Sequence, residues 1–204
     1  MEFLFNINGQ FYLAAYLMGS IPFGLLLAKF FAGVNIKESG SGSIGATNVL
    51  RVVKEKDPKL AKKLGAMTLA LDALKGIMVL TLAILMEAPE STLWAIAVLA
   101  VVGHCFSIFL WFEGGKGVAT ALGVLALMLP IETGIAFIVW AFMAKVVKIS
   151  SISSLVALVA LVIASFIIHP DIPHAPLLII GFIVVYKHIP NIIRLIQGEE
   201  KKVI

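Results

Sequence analysis

Seven apolar runs, at about residues 11–31, 64–86, 93–112, 118–129, 133–147, 152–168 and 177–189, are the strongest constraint on what this chain can become. A helix needs roughly 20 apolar residues to cross a bilayer core of about 30 Å, and several runs approach that length. The composition agrees: 60% of residues are hydrophobic and 14% charged, the balance of an integral membrane protein rather than a soluble globule. The first run does not read as a cleaved signal peptide. Its N-terminal flank carries Glu2 and no Lys or Arg, and it is long for an h-region. Cys105, the single cysteine, cannot close an internal disulfide and says nothing of the redox compartment.

The charges between the runs predict a topology. With the N-terminus outside, one side of the membrane receives residues 32–63, 113–117, 145–151 and 186–204, which hold every Lys and Arg except Lys29 and Lys75. The other side receives Glu2, Glu87, Glu90, Glu132 and Asp171, and no Lys or Arg. The positive-inside rule makes the basic side cytoplasmic. If 118–129 failed to cross, Lys145 and Lys148 would fall among the outside acids. The expectation is a single all-α membrane domain over 1–204, with seven transmembrane helices, N-terminus outside and C-terminus cytoplasmic. As a helix, segment 118–129 reaches only about 18 Å, so it must thin the bilayer locally or begin inside a protein-lined cavity.

Three polar clusters face the basic side. Residues 38–51 read Glu-Ser-Gly-Ser-Gly-Ser-Ile-Gly-Ala-Thr-Asn-Val-Leu-Arg. Gly40, Gly42 and Gly45 can take positive φ at little steric cost, so successive amides can turn inward as an anion-binding nest. Ser41, Ser43, Thr47 and Asn48 add donors, and Arg51 adds a planar fork suited to phosphate. A hydrophilic connector between helices is the plainer reading, but it does not call for so many small donors before an Arg. Second, Glu113-Gly-Gly-Lys-Gly117 opens the short fourth run, where a helix N-terminus and Lys116 would meet an anion. It lacks the spacing of a Walker A loop, and a glycine-rich helix start accounts for it equally well on its own. Third, Lys187, His188, Asn191, Arg194 and Gln197 end the last run, before Gly198-Glu-Glu-Lys-Lys202. In a helix, His188, Asn191 and Arg194 share a face, although Pro190 argues against one regular helix. Lys201 and Lys202 read as an ordinary basic tail attracted to anionic lipid.

These motifs, in this order and on one side, resemble the bacterial acyl-phosphate:glycerol-3-phosphate acyltransferases, the PlsY family. The resemblance rests on Gly40–Arg51, on Gly103–Thr120 and on Lys187–Glu199. Gly19-Ser-Ile-Pro-Phe-Gly24 and the Asp72…Lys75-Gly76 pair also look like the family. Two positions depart from its pattern: Ser43 stands where Asn is usual, which puts that one contact in doubt, and Ser107 stands where Pro is usual.

The resemblance implies transfer of a fatty acyl group from acyl phosphate to the 1-hydroxyl of glycerol 3-phosphate, giving lysophosphatidate and phosphate. It places the chain in a bacterial cytoplasmic membrane, as a monomer whose partners are the two substrates and membrane lipid, with no cofactor, metal or nucleic acid. The residues suit this demand. Two phosphates need cationic and amide-rich sites, and a groove between short helices can take the acyl tail. Acyl phosphate already has a good leaving group, so orientation and oxyanion donors can supply most of the catalysis.

Arg51 with Gly40, Ser41, Gly42, Ser43, Gly45, Ala46, Thr47 and Asn48 is expected to hold one phosphate. Lys116 with Gly114, Gly115 and Gly117 is expected to hold the other. His188 is the candidate base or hydroxyl-orienting group, helped by Asn191, with a substrate phosphate oxygen as the alternative acceptor. His104 is expected either to orient the Lys116 turn or to contact substrate. Lys148, Ser151, Ser154 and Lys187 extend the anion site. No H-x-x-x-x-D spacing and no G-x-S-x-G elbow occurs.

Asp72 and Lys75 stand three apart inside an apolar run, where charges are costly and usually paired. A structural pair is the expected role. Read as a transporter element, the pair supports the alternative function, a small organophosphate or anion transporter, which would call for inverted repeats and midplane binding groups. A lipid-binding scaffold would explain the charge asymmetry but not two glycine nests. His169 and His174, among Pro170, Pro173 and Pro176, are expected to lie in a stiff outer loop.

Overall fold

The computed structural model describes residues 6–202, and its regular structure is helical throughout. Glu2, part of the charge argument, lies outside the described residues. The chain divides into two compact units, Met1–Val124 and Leu125–Ile204, each described by itself.

In the first unit, α1 spans Ile7–Ser20 and α2 spans Phe23–Leu27, continued by a π-helical turn over Ala28–Ala32. Asn6 caps α1 through the Asn8 amide, and Pro22, which has no N–H to donate, separates α1 from α2. Gly33, at φ +62, stops the segment in the left-handed conformation only glycine adopts cheaply. The short helix α3, Ala46–Lys54, buries Asn48, Val49, Val52 and Val53 along one face and lies on α4. Helix α4 runs over Pro58–Leu85. Its start is written locally: Asp57 accepts from the Lys59 and Leu60 amides at 2.8 and 3.0 Å, and Pro58 lacks an N–H only where the first turn has no intrahelical acceptor for one. Helix α5 covers Glu90–Cys105, followed by a 3-10 turn over Ile108–Leu110, and α6 covers Val118–Met128, its last turn counted with the second unit.

Small residues let these helices touch backbone to backbone, the usual solution where lipid gives no hydrophobic drive between helices. A Cβ on Gly19 would run into the Ala100 carbonyl, one on Gly103 into the Tyr16 carbonyl, and one on Gly123 into the Ala73 carbonyl. Ser107 also acquires a reason. Its hydroxyl, fully buried, donates to the Ser20 carbonyl at the end of α1 at 2.6 Å, a bond that a proline could not make.

The second unit contains α7 (Pro130–Val146), α8 (Ser150–Ile168), α9 (His174–Lys187) and α10 (Ile189–Ile196). Helix α8 packs against α7 and α9, and α10 leaves α9 at 52°. Pro190 sits in the first turn of α10, where it fits, so Lys187–Gln197 is bent rather than one regular helix. His169 is more than a loop residue: its Nδ1 meets the wholly buried Glu132, while His174 stacks on Phe166 with ring centroids 3.8 Å apart.

The seven apolar runs are mainly helical, but 11–31 is broken at Ile21–Pro22 and 93–112 leaves α5 after Cys105. By length and hydropathy, four stretches are long enough to cross a membrane: Ile7–Ala32, Pro58–Leu85, Glu90–Leu110 and Ser150–Ile168, with the bent α9–α10 pair as a fifth. The outward side chains fit lipid contact. Ile138 and Phe142 on α7 and Ile163 and Ile167 on α8 are each more than half exposed, a surface that in water would be an aggregation liability.

Candidate active site

The first polar cluster is pinned from below. Ile36 and Ile44 flank the glycine-rich loop and are buried in a cluster with Leu27, Val49, Val53 and Leu64. Burying side chains of that size contributes about 1.5–3 kcal/mol each, enough to fix a loop that is otherwise polar. Gly40 and Gly42 adopt φ of +64 and +67. Gly45 does not: at φ −80 and ψ 166 it is extended and serves as the N-cap of α3. The loop therefore ends at Gly45, and the second half of the motif is helix.

Asn48 departs further from expectation. It is 1% exposed, and its Nδ2 donates to the carbonyls of Ile36, Ser39 and Ser43 at 2.9, 3.2 and 2.8 Å. Its Oδ1 accepts from the Ser41 amide at 2.9 Å. The side chain is taken up in shaping the loop and is not a phosphate donor. The Gly42 amide is likewise committed, to the Ser39 carbonyl at 3.2 Å. Arg51, half-buried in α3, is the opposite case: among the described residues its guanidinium makes no hydrogen bond or ion pair.

The second cluster lies beside the first. Lys37 reaches Glu113 at 2.8 Å, tying the loop after α2 to the turn before α6; at this exposure the pair orients more than it stabilises. The expected nest is altered here. The Gly114 amide donates to the Cys105 carbonyl at 3.1 Å and the Gly115 amide to the His104 carbonyl at 2.9 Å. Both bonds cap the end of α5, so these two amides are not open to an anion. The same turn also contains Gly117, at φ +83, the N-terminus of α6 and the half-buried Lys116. His104 is 3% exposed, and its ring fills the space where a Gly115 side chain would stand. Its Nδ1 lies 2.8 Å from the Lys75 ammonium, which also bonds Asp72 at 2.8 Å.

The third cluster belongs to the second unit. His188 is 2% exposed, and its Nδ1 donates to the Val184 carbonyl at 2.7 Å. A carbonyl only accepts, so the neutral ring carries its proton on Nδ1 and its lone pair on Nε2. Asn191 donates to Glu200 at 2.6 Å, and Arg194 and Ser151 join the same carboxylate at 2.7 and 2.9 Å. The Asn191 Oδ1 is buried and has no partner among the described residues.

Burial pushes the Glu200 carboxyl up, but its bonds from Arg194, Asn191 and Ser151 outweigh that and hold it below the usual glutamate range. Glu200 escaped the sequence reading. The available signal was Gly198, at φ +73, which ends α10 and turns the following acids back toward it. Ser154 is buried in α8, Lys187 is half-buried at the end of α9, and Lys148 is exposed at φ +63.

A family model for glycerol-3-phosphate acyltransferase matches residues 10–198. The chain is 67% identical over 204 residues to the glycerol-3-phosphate acyltransferase of Sulfurimonas denitrificans, covering 100% of both. It is 59% identical over 208 residues to that of Wolinella succinogenes, again covering 100% of both. Among solved structures it is similar to the glycerol 3-phosphate form of PlsY (YgiH), an integral membrane glycerol 3-phosphate acyltransferase. The TM-score is 0.86 at 32% identity, covering 97% of this chain and 96% of that one. The lysophosphatidic acid form of the same protein gives 0.84 at 33% identity, covering 97% and 95%.

Proposed function

The chain belongs to the glycerol-3-phosphate acyltransferase family, and from that premise we propose that it acylates the 1-hydroxyl of sn-glycerol 3-phosphate with acyl phosphate as donor. It is an integral membrane enzyme of phospholipid synthesis. The glycerol oxygen attacks the acyl carbon, the bond from that carbon to the phosphate oxygen breaks, and the hydroxyl proton passes to a base. The products are lysophosphatidate and inorganic phosphate, with no acyl-enzyme between them.

The observation that carries the residue assignment is Arg51, a half-buried guanidinium without a partner among the described residues, beside a loop rigidly built by Asn48, Ile36 and Ile44. A planar fork in that state is suited to a phosphate. Lys116 and the start of α6 are assigned to the second phosphate. The His188 lone pair on Nε2 is assigned to the hydroxyl proton, a role that a substrate phosphate oxygen can share. The enzyme acts as a monomer with seven crossings, its N-terminus outside and its polar clusters facing the cytoplasm of a bacterial inner membrane. The one-sided distribution of Lys and Arg supports that orientation.

Purified protein given acyl phosphate and glycerol 3-phosphate tests the reading. Equal amounts of phosphate and lysophosphatidate are expected. Substrate uptake into vesicles without phosphate release would instead identify a transporter.

A further inference from the structure

Lys75 and Asp72 share one face of α4 and are 1% and 2% exposed, deep in an apolar helix. Locking helices together does not call for this pair, since buried ion pairs are often matched or bettered by apolar residues of similar volume. The surroundings of the ammonium suggest a more specific task. It has three hydrogens and three acceptors: Asp72 Oδ1 at 2.8 Å, the Ile21 carbonyl at 3.1 Å and His104 Nδ1 at 2.8 Å.

An ammonium has no lone pair, so the third bond exists only if His104 Nδ1 is bare. The neutral ring must then carry its proton on Nε2. That edge of the ring is the one packed against Gly115, where a Cβ would collide with it. The same cluster holds the far side of the turn, because Thr120, in the first turn of α6, donates to the Asp72 carbonyl at 2.9 Å. Both flanks of the Gly114–Gly117 turn are therefore referred to one intramembrane ion pair.

We propose that Lys75, held by Asp72, is a positioning residue for this turn: it fixes His104 in the form that presents an N–H, not a lone pair, where the turn receives a substrate phosphate. With the opposite tautomer a lone pair would face the anion and repel it. The inference rests on the reading of this turn as phosphate-binding.

The test uses the full-length enzyme in detergent with the KM of each phosphate-bearing substrate, kcat and the [15N]histidine spectrum. In the wild type the His104 signals are expected to show a neutral ring protonated on Nε2. Asp72→Asn/Lys75→Met removes both charges, so that no buried charge is orphaned. It is expected to raise the KM of one substrate roughly ten- to hundredfold, the range for losing a hydrogen bond to a charged group, while kcat moves far less.

His104→Gln, whose amide reaches the Nε2 position, is expected to keep about tenfold more affinity than His104→Asn, which satisfies Lys75 but cannot reach the turn. These two variants decide the matter even if the double variant does not fold. A ring protonated on Nδ1, or equal KM values for the Gln and Asn variants, overturns the proposal. Lys116→Ala separates the two levels. If it leaves both KM values intact, the phosphate-binding turn is itself wrong; if it raises one while His104→Asn raises neither, only the role of Lys75 falls.

Discussion

Asn48 Oδ1 occupies the space that a side chain on Gly40 would need, and Gly40 sits there at φ +64. The amide that ties the loop together thus depends on a residue eight positions earlier having no Cβ. Gly40→Ala is expected to cost about 1–2 kcal/mol for the left-handed backbone alone, and to displace Asn48 as well. Thermal unfolding should show a lower midpoint, and activity should fall with it. Asn48→Ala should reproduce the loss of activity although it removes no phosphate ligand.

Arg51 and Lys116 carry the proposed phosphate contacts. Losing a charge-assisted contact in a partly desolvated site is expected to cost about 2–4 kcal/mol of transition-state stabilisation. Arg51→Ala or Lys116→Ala should therefore lose on the order of 30- to 1000-fold in kcat/KM. Arg51→Lys should remain impaired, since a point charge does not reproduce a two-pronged contact. Lys201→Ala, on the exposed tail, should be near normal. Well-folded Ala variants with normal turnover would show that the site is misplaced.

Glu200 links pH to the integrity of the third cluster. Its folded pKa lies below the ordinary value, so its stabilisation is fully present above the unfolded glutamate pKa. It is lost as pH falls from there through the lowered folded value. Thermal midpoints should drop across that acid window in the wild type and less so in Glu200→Gln. Above the window, Glu200→Ala should be destabilised by about 1.5–3 kcal/mol, the worth of a hydrogen bond to a charged group. Identical acid profiles for wild type and Glu200→Gln would refute the assignment.

Topology is checked in intact cells. A cysteine introduced at position 54 or 201 should resist an impermeant thiol reagent until lysis, and one introduced near Glu90 should react at once. Labelling at 54 or 201 before lysis would reverse the proposed orientation.

Donor choice is the remaining expectation. The sequence shows no feature suggesting a docking groove for an acyl carrier protein or for the nucleotide of coenzyme A. The purified enzyme should use acyl phosphate and neither thioester. Transfer from a purified thioester, with no phosphate-generating enzyme present, would defeat this.

Much of the architecture was legible from residue order alone. Apolar run lengths located the long helices, because a backbone in hydrocarbon must satisfy itself within the segment, but not the short α3 and α10. The Asp72–Lys75 pairing was legible too, since i, i+3 residues on a helix are neighbours wherever the helix sits.

Other features depended on distant chain. The Gly114 and Gly115 amides were committed by the end of α5, and Asn48 was turned inward by the carbonyls of Ile36, Ser39 and Ser43. His104 met Lys75 from 29 residues away, and Glu200 gathered Ser151 from 49 away. Periodicity and local propensity report which way a side chain leaves its own element. Which partner lies within about 3 Å of a buried polar atom is set by how the elements pack, and that only the tertiary structure decided.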